Sequence, residues 1–258
     1  MNSFAGNATG SQNEILAALP PGDFDLLALH LLRVQFVRDQ VLVGYNQPVD
    51  HLLFIEHGVA SVDSQPVERE PATQAAMIGR EGIVGDLSLF DLRHSANVQV
   101  VAYIPGTALR LAGDTIGQAL DGIPALQDAC TRFAQSLVAQ IVLGAACSVQ
   151  LSLTERCARW IAMTRDRIDE DEISVTHDAL SVMLGIRRSG IAFATAALQE
   201  SGLIRTGRGR LTVLDRAGLG RAARGTALRA GLPGLGAVGT PPRKTLHTSK
   251  NGSGADKC

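Results

Sequence analysis

Apolar positions along the chain change their period twice, and the changes divide it into parts. Between 13 and 32 (NEILAALPPGDFDLLALHLL) leucines fall at helical spacing on either side of Pro20-Pro21. This predicts two short helices, with Leu26, Leu27 and Leu31 on one face. From Arg33 to Leu111 the texture becomes short β-branched and apolar runs: RVQFV, QVLV, HLLFIEHG, VASVDS, TQAAMIG, IVGDLSLF, ANVQVVAY and TALRLA, with glycines at 44, 58, 79, 82, 85 and 106. Short strands so spaced predict a β-sandwich or jelly roll. Helical spacing returns after Gly113. Leu126, Cys130, Phe133, Leu137, Gln140, Gly144, Cys147 and Leu151 recur at alternating steps of four and three. Such a seam suits either an amphipathic helix lying on its own domain or a dimerisation helix, and the dimer helix is the favoured expectation.

Ser152-Leu153-Thr154-Glu155 has the form of a capping box, which starts a new helix with Cys157, Trp160, Ile161 and Ile168 on its apolar side. The acidic DRIDEDE run at 166–172 should end it as a solvated connection. Residues 176–213 (THDALSVMLGIRRSGIAFATAALQESGLIRTGRGRLTV) then read as a helix, a tight turn at Gly185, a second helix and a basic hairpin. Leu180, Leu184, Ile186, Ile191, Ala194 and Leu198 give the two helices a common core. This is the layout of a winged helix-turn-helix, and it points to double-stranded DNA as ligand.

The chemistry of the exposed positions agrees. Arg187, Arg188 and Ser189 open the second helix, where a helix in the major groove presents its first turn to base edges. A guanidinium is shaped to hold guanine O6 and N7 together. Phe193 lies about 200° around the helix from Ile191, so it faces away from the core and can press on a thymine methyl. Arg205, Arg208 and Arg210 on the hairpin, with Thr176 and His177 at the start of the first helix, are expected to hold the phosphate backbone.

The formal net charge of -1 conceals an asymmetry. Residues 1–151 carry 7 Arg against 15 Asp or Glu, a balance of -8, whereas 173–214 carry 5 Arg against Asp178 and Glu200, a balance of +3. The tail 223–258 adds 6 basic residues against Asp256. An acidic front and a basic rear place nucleic-acid contact in the rear.

No apolar run reaches the roughly 18 residues of a membrane span, and MNSFAGNATGSQNE lacks the regions of a signal peptide, so no membrane partner and a cytoplasmic location are expected. Cys130, Cys147, Cys157 and Cys258 have no C-x-x-C spacing. The first three read as small helix-packing residues, and neither a metal nor another cofactor is expected. His51, His57 and His94 are isolated histidines in β loops and do not form a ligand set. No nucleophile, base and orienting group stand together, so an enzyme is not expected.

Helices, a jelly roll, a long helix and a winged helix, in that order, resemble the Crp/Fnr superfamily of bacterial transcription regulators. The resemblance runs over about 13–219, and MIGREGIVGDLSLF, PGTALRL, LTERCARWIAM, THDALSVMLGIRRSGI and GLIRTGRGRLTVLDRAGL carry it. It implies an α+β homodimer whose sensory domain sets the pose of two recognition helices. The expected parts are a flexible N-terminus at 1–12, a cyclic-nucleotide-binding-like jelly roll at 13–122 and a dimerisation helix at 123–151. A winged helix-turn-helix at 152–222 and a disordered basic tail at 223–258 complete the chain.

Arg188 matches the family's base-reading arginine, while Ser189 and Phe193 stand where many members have glutamate and a second arginine. Gly85, Asp86, Arg93, His94 and Ser95 fall on the effector pocket. Asp86 replaces a ribose-binding glutamate, and His94 replaces a phosphate-binding arginine. Imidazole lacks the forked, permanently charged grip of guanidinium, which speaks against cyclic AMP as effector. The resemblance also brings in RNA polymerase and a small-molecule effector as candidate partners. The competing expectation is a cyclic-nucleotide-binding module that acts through a protein partner.

Overall fold

The computed structural model describes residues 3–4, 10–45, 47, 50–64, 72–85 and 98–224. Of the tail expected to be disordered, 223–258, Ala223 and Arg224 instead close the last helix, and 225–258 lie outside the described residues.

The chain opens with a two-residue strand, β1 (Ser3–Phe4), within the stretch expected to be a flexible N-terminus. Two short helices follow, α1 (Glu14–Ala17) and α2 (Pro21–Ala28), then strand β2 (Leu31–Phe36), with which β1 pairs. Asn13 caps α1: its Oδ1 accepts from the Ile15 and Leu16 amides, while its Nδ2 donates to the Ile55 and Gly82 carbonyls at 2.9 Å each. A fully buried amide is thereby satisfied on both ends. The expected stripe of α2 is corrected, because Leu26 points to solvent and Leu31 already belongs to β2, leaving Leu27 as the buried anchor.

Strands β3 (Val41–Val43), β4 (His51–Ser64), β5 (Gln74–Ile78), β6 (Ile83–Gly85) and β7 (Val98–Ala112) complete a seven-stranded antiparallel sheet of order β1-β2-β7-β4-β5, with β3 on β7 and β6 on β4. The sequence suggested four short runs where the structure has two long strands, β4 and β7. They bend together where two glycines face across the ladder. Gly58 has φ +88, and a Cβ built on Gly106 would sit 1.9 Å from the His57 carbonyl oxygen. The register shifts between Ile55 and Ala60 mark a bulged bend there rather than a strand end. Glu56, buried beside the bend, is held by the Arg33 guanidinium at 2.9 and 3.2 Å.

Helix α3 (Gly113–Gly122) leads into the 27-residue α4 (Pro124–Gln150). One face of α4 packs on the sheet through Leu126, Cys130, Phe133 and Leu137, where Phe133 fills the space that a Cβ on Gly82 would need. Gln140 ties the helix to β5 by accepting from the Met77 amide at 2.8 Å and donating to its carbonyl at 3.1 Å. The seam marked out by sequence spacing is therefore filled by the chain's own sheet, and Cys147 and Leu151 are buried as well. A second apolar stripe, Val138, Val142, Ala145 and Val149 with Ile141 beside it, faces outward. Two apolar faces explain why α4 has a mean hydropathy of 1.4 over an 18-residue window and, by length and composition, could cross a bilayer.

The last part holds α5 (Leu153–Ile168), β8 (Glu172–Ile173), α6 (His177–Leu184), α7 (Arg188–Glu200), β9 (Ile204–Gly207), β10 (Arg210–Val213) and α8 (Arg216–Ala222). The capping box is formed in both directions. The acidic run is not simply solvated. Asp169 ends α5 with φ 58, β8 joins β10, and Asp171 accepts from Arg216 at 2.7 Å and Arg165 at 3.3 Å. The Arg216 hydrogen bond, more than any other influence, holds the Asp171 carboxyl below the ordinary aspartate range.

The apolar core of this part does not stop at its own helices. Val59, Met77 and Tyr103 from the sheet pack in one cluster with Trp160, Ile161, Leu180 and Ile191. The Tyr103 and Trp160 rings meet edge to face, with centroids 5.6 Å apart.

Candidate nucleic-acid interface

The helix-turn-helix is built as its sequence pattern requires. Thr176 caps α6 by accepting the Ala179 amide at 3.1 Å, and Gly185 ends the helix with φ 59, in the left-handed region that glycine adopts without strain. Helix α7 buries Ile191, Ala194, Thr195 and Leu198 on one side. Its other side presents Arg187, Arg188, Ser189 and Phe193, the last 70% exposed, to solvent. The hairpin β9–β10 presents Arg205, Arg208 and Arg210.

Of these groups Arg188 and Arg210 border one cleft of about 270 Å³, whose walls also include Thr176, His177, Thr206 and Gly209. Arg188 of α7, the α6 N-terminus and part of the wing thus lie around one concavity.

Three of the expected contacts are already engaged in the free chain. Arg188 is paired with Asp178 in the first turn of α6, at 2.8 Å to Oδ1 and 3.0 Å to Oδ2. Both side chains are largely exposed, so the pair is weak enough for a phosphate or guanine to displace it. His177 turns toward α7, its Nε2 lying 3.3 Å from Thr195 Oγ1. Because the Thr195 hydroxyl donates to the Ile191 carbonyl at 2.9 Å, the imidazole is the donor in this contact. Arg210 stands 3.5 Å from Glu172. Among the described residues no ion pair holds Arg187, Arg205 or Arg208.

Gln199 escaped the sequence reading. From the last turn of α7 its Oε1 accepts from the Thr206 amide and hydroxyl at 2.9 and 2.8 Å, fixing the wing to the recognition helix. A glutamine on an exposed helix face carries no signal of this, because its partner is defined only once the hairpin has folded back.

In the sheet half, Gly85 closes β6 with φ +146, and a Cβ there would lie against the His51 carbonyl oxygen. Asp86, Arg93, His94 and Ser95 lie outside the described residues. No group of three or more His, Cys, Asp or Glu side chains is arranged for a metal among the described residues. Cys130 and Cys157 are buried, which pushes each thiol pKa up to about 12 and keeps both protonated at neutral pH.

Residues 155–222 match the Crp-like helix-turn-helix domain family. No curated protein matches the chain. Among solved structures it is similar to FixK2 from Bradyrhizobium japonicum, with 12% identity and a TM-score of 0.63 over 74% of this chain and 96% of that one. It is also similar to the c-di-GMP-responsive global regulator CLP from Xanthomonas campestris, with 14% identity and a TM-score of 0.62 over 76% and 100% of the two chains. A third is a Crp/Fnr-family transcriptional regulator from Thermus thermophilus, with 18% identity and a TM-score of 0.58 over 75% and 98%. At these identities the likeness concerns the fold. The chain thus has the α+β fold of Crp/Fnr-type transcription regulators, and its carboxyl-terminal part belongs to the Crp-like helix-turn-helix domain family.

Proposed function

We propose that the protein is a homodimeric, sequence-specific DNA-binding transcription regulator, working in the cytoplasm and without catalytic activity of its own. The observation that carries this reading is the exposure of Arg187, Arg188, Ser189 and Phe193 on the open side of α7 and of Arg205, Arg208 and Arg210 on the adjoining wing, with Arg188 and Arg210 lining one cleft. In this reading the α7 residues read or flank bases, and Thr176, His177, Arg205, Arg208 and Arg210 set the protein on the phosphates. The outward stripe of α4 supports the homodimer, since a two-fold axis along that helix would give two symmetric readers. Asp86 and His94 in the sequence favour an effector other than cyclic AMP. The Xanthomonas regulator, which responds to c-di-GMP, supports the idea that this fold serves other ligands. RNA polymerase is the natural further partner of such a regulator.

The test is a gel-shift titration on the operator recovered by selection from random duplexes. Arg188→Ala should weaken operator binding by about 1–3 kcal/mol and relax preference at one base pair. Unchanged affinity and preference would remove Arg188 from the reading face. Asp178→Asn should act in the opposite direction, raising affinity for every duplex severalfold, because it frees Arg188 and removes a negative charge from the phosphate-facing side. Equal or weaker binding would mean that the pair orders Arg188 for the groove rather than competing with it. Arg208→Ala should weaken all sequences alike and lower the slope of log affinity on log salt by about one. An unaltered slope would contradict a phosphate contact.

A further inference from the structure

A second cavity lies away from the DNA-facing cleft, at the joint of the two halves. It has a volume of about 310 Å³ and is enclosed by β5, the C-terminal half of α4, the middle of α5 and the end of α6. Its walls are mainly apolar, with Ile141, Gly144, Trp160, Met163, Met183 and Leu184 among them. The amides in the wall are already satisfied. Gln140 is bound at both ends to Met77, and the Gln74 carbonyl accepts from the Trp160 indole at 2.9 Å. Two cations also line it, Arg156 and Arg159. Arg156 gives one N–H to the Leu184 carbonyl at 2.6 Å, and partial burial lowers its pKa, so its guanidinium has lost part of its hydration there. Among the described residues neither arginine meets a carboxylate.

We infer that this cavity is a binding site for a small molecule with an apolar body and one anionic group, the body lying against Trp160 and the methionines and the anion meeting Arg159 and Arg156. A pocket of this size, largely apolar and with a few convergent polar groups at a domain junction, is the general form of a small-molecule site. Two guanidinium groups at its edge, neither meeting a carboxylate among the described residues, select the anion. Its walls come from both halves of the chain, so a ligand there touches β5 of the sensory sheet and α6 of the helix-turn-helix at once. Gly85 is not among its described walls, and the inferred site does not depend on DNA reading. Ile141 and Ala145 also belong to the outward stripe of α4, so a second copy seated there would cover the cavity's open side.

Trp160 is the chain's single tryptophan and serves as the reporter. The full-length protein is titrated with 1-anilinonaphthalene-8-sulfonate and, separately, with its neutral counterpart N-phenyl-1-naphthylamine. Saturable quenching of Trp160 at one site per chain is expected with both. Gly144→Leu should abolish it while preserving helix content, because a Cβ at Gly144 meets only the Ala75 carbonyl oxygen at 3.7 Å and the longer side chain then enters the cavity. Arg159→Gln should weaken the sulfonate about tenfold and leave the neutral probe unchanged. Undiminished quenching in Gly144→Leu, or equal weakening of both probes by Arg159→Gln, would overturn the proposal. So would binding confined to a monomeric Val138→Glu, Val142→Glu chain, which would mean that a second copy's side chains fill the cavity.

Discussion

A Val138→Glu, Val142→Glu variant is expected to sediment as a monomer and to lose about 10²- to 10⁴-fold in operator affinity, with helix content and melting temperature unchanged. The face of α4 left free by the sheet decides this outcome. Val138, Val142 and Val149 are 59%, 64% and 86% exposed, and with Ala145 they recur at steps of four, three and four. In a parallel pair of such helices each valine meets its own copy across the two-fold axis, so two substitutions bring four carboxylates into one dry seam. Separating the copies relieves that cost. Each half-site is then bound alone, without the effective concentration that linkage supplies. Leu137→Glu serves as the contrast. Leu137 is buried against the chain's own sheet, so its glutamate should unfold the sheet half rather than dissociate an intact chain. If the double-glutamate chain remained a dimer, the outward stripe would not be the interface.

The same helix shows where sequence reading reaches its limit. Helix α4 has apolar residues on two faces, and both repeat at steps of four and three. The register through Leu126, Phe133 and Leu137 has the bulkier side chains and looks like the coiled-coil seam. The structure spends those residues on the sheet and leaves the smaller valines outside. Spacing reveals that a face exists, but what covers it depends on tertiary packing. Features fixed within one or two turns were legible: the capping box at Ser152 and Glu155, the left-handed Gly185, and the inward Ile191, Ala194 and Leu198 opposite an outward Phe193. Pairings made across the fold were not. Gly58 and Gly106 read singly as strand ends, yet together they permit a close approach that keeps β4 and β7 continuous. Asp171 finds Arg216, and Asp178 finds Arg188, only after separate helices have packed. The exposed set on α7 was legible because exposure on an amphipathic helix follows from local period, whereas the arginines of the interdomain cavity sit on a helix whose surroundings come from three other elements.

Trp160→Ala is expected to destabilise the chain by about 3–5 kcal/mol and to split its thermal unfolding into two transitions. The indole is 3% exposed, and its neighbours belong to both halves. It stands edge-on to Tyr103 from β7, and its Nε1 donates to Gln74 on β5 at 2.9 Å. Around it sit Val59 and Met77 from the sheet and Ile161 from its own helix. Arg38 continues the contact by lying 5.5 Å over the Tyr103 ring and donating to the Ser174 carbonyl at 3.0 Å. A cost of this size is a large fraction of the roughly 5–15 kcal/mol that stabilises a folded protein. Because it falls on the shared cluster, it should weaken the coupling between the halves more than either core by itself. Calorimetry of the parent chain should therefore give one cooperative transition and that of the variant two, the sheet and the helix-turn-helix melting separately. Trp160→Phe should keep most of the apolar contact while losing the hydrogen bond to Gln74, and so should retain a single transition at a slightly lower temperature. One undivided peak in Trp160→Ala, displaced by no more than the Phe variant, would mean that the two halves are coupled elsewhere. The remaining ties would then include the Arg167–Glu81 ion pair at 2.8 Å and the Arg167 donation to the Met77 carbonyl at 3.4 Å, and substitution of Arg167 should divide the transition instead.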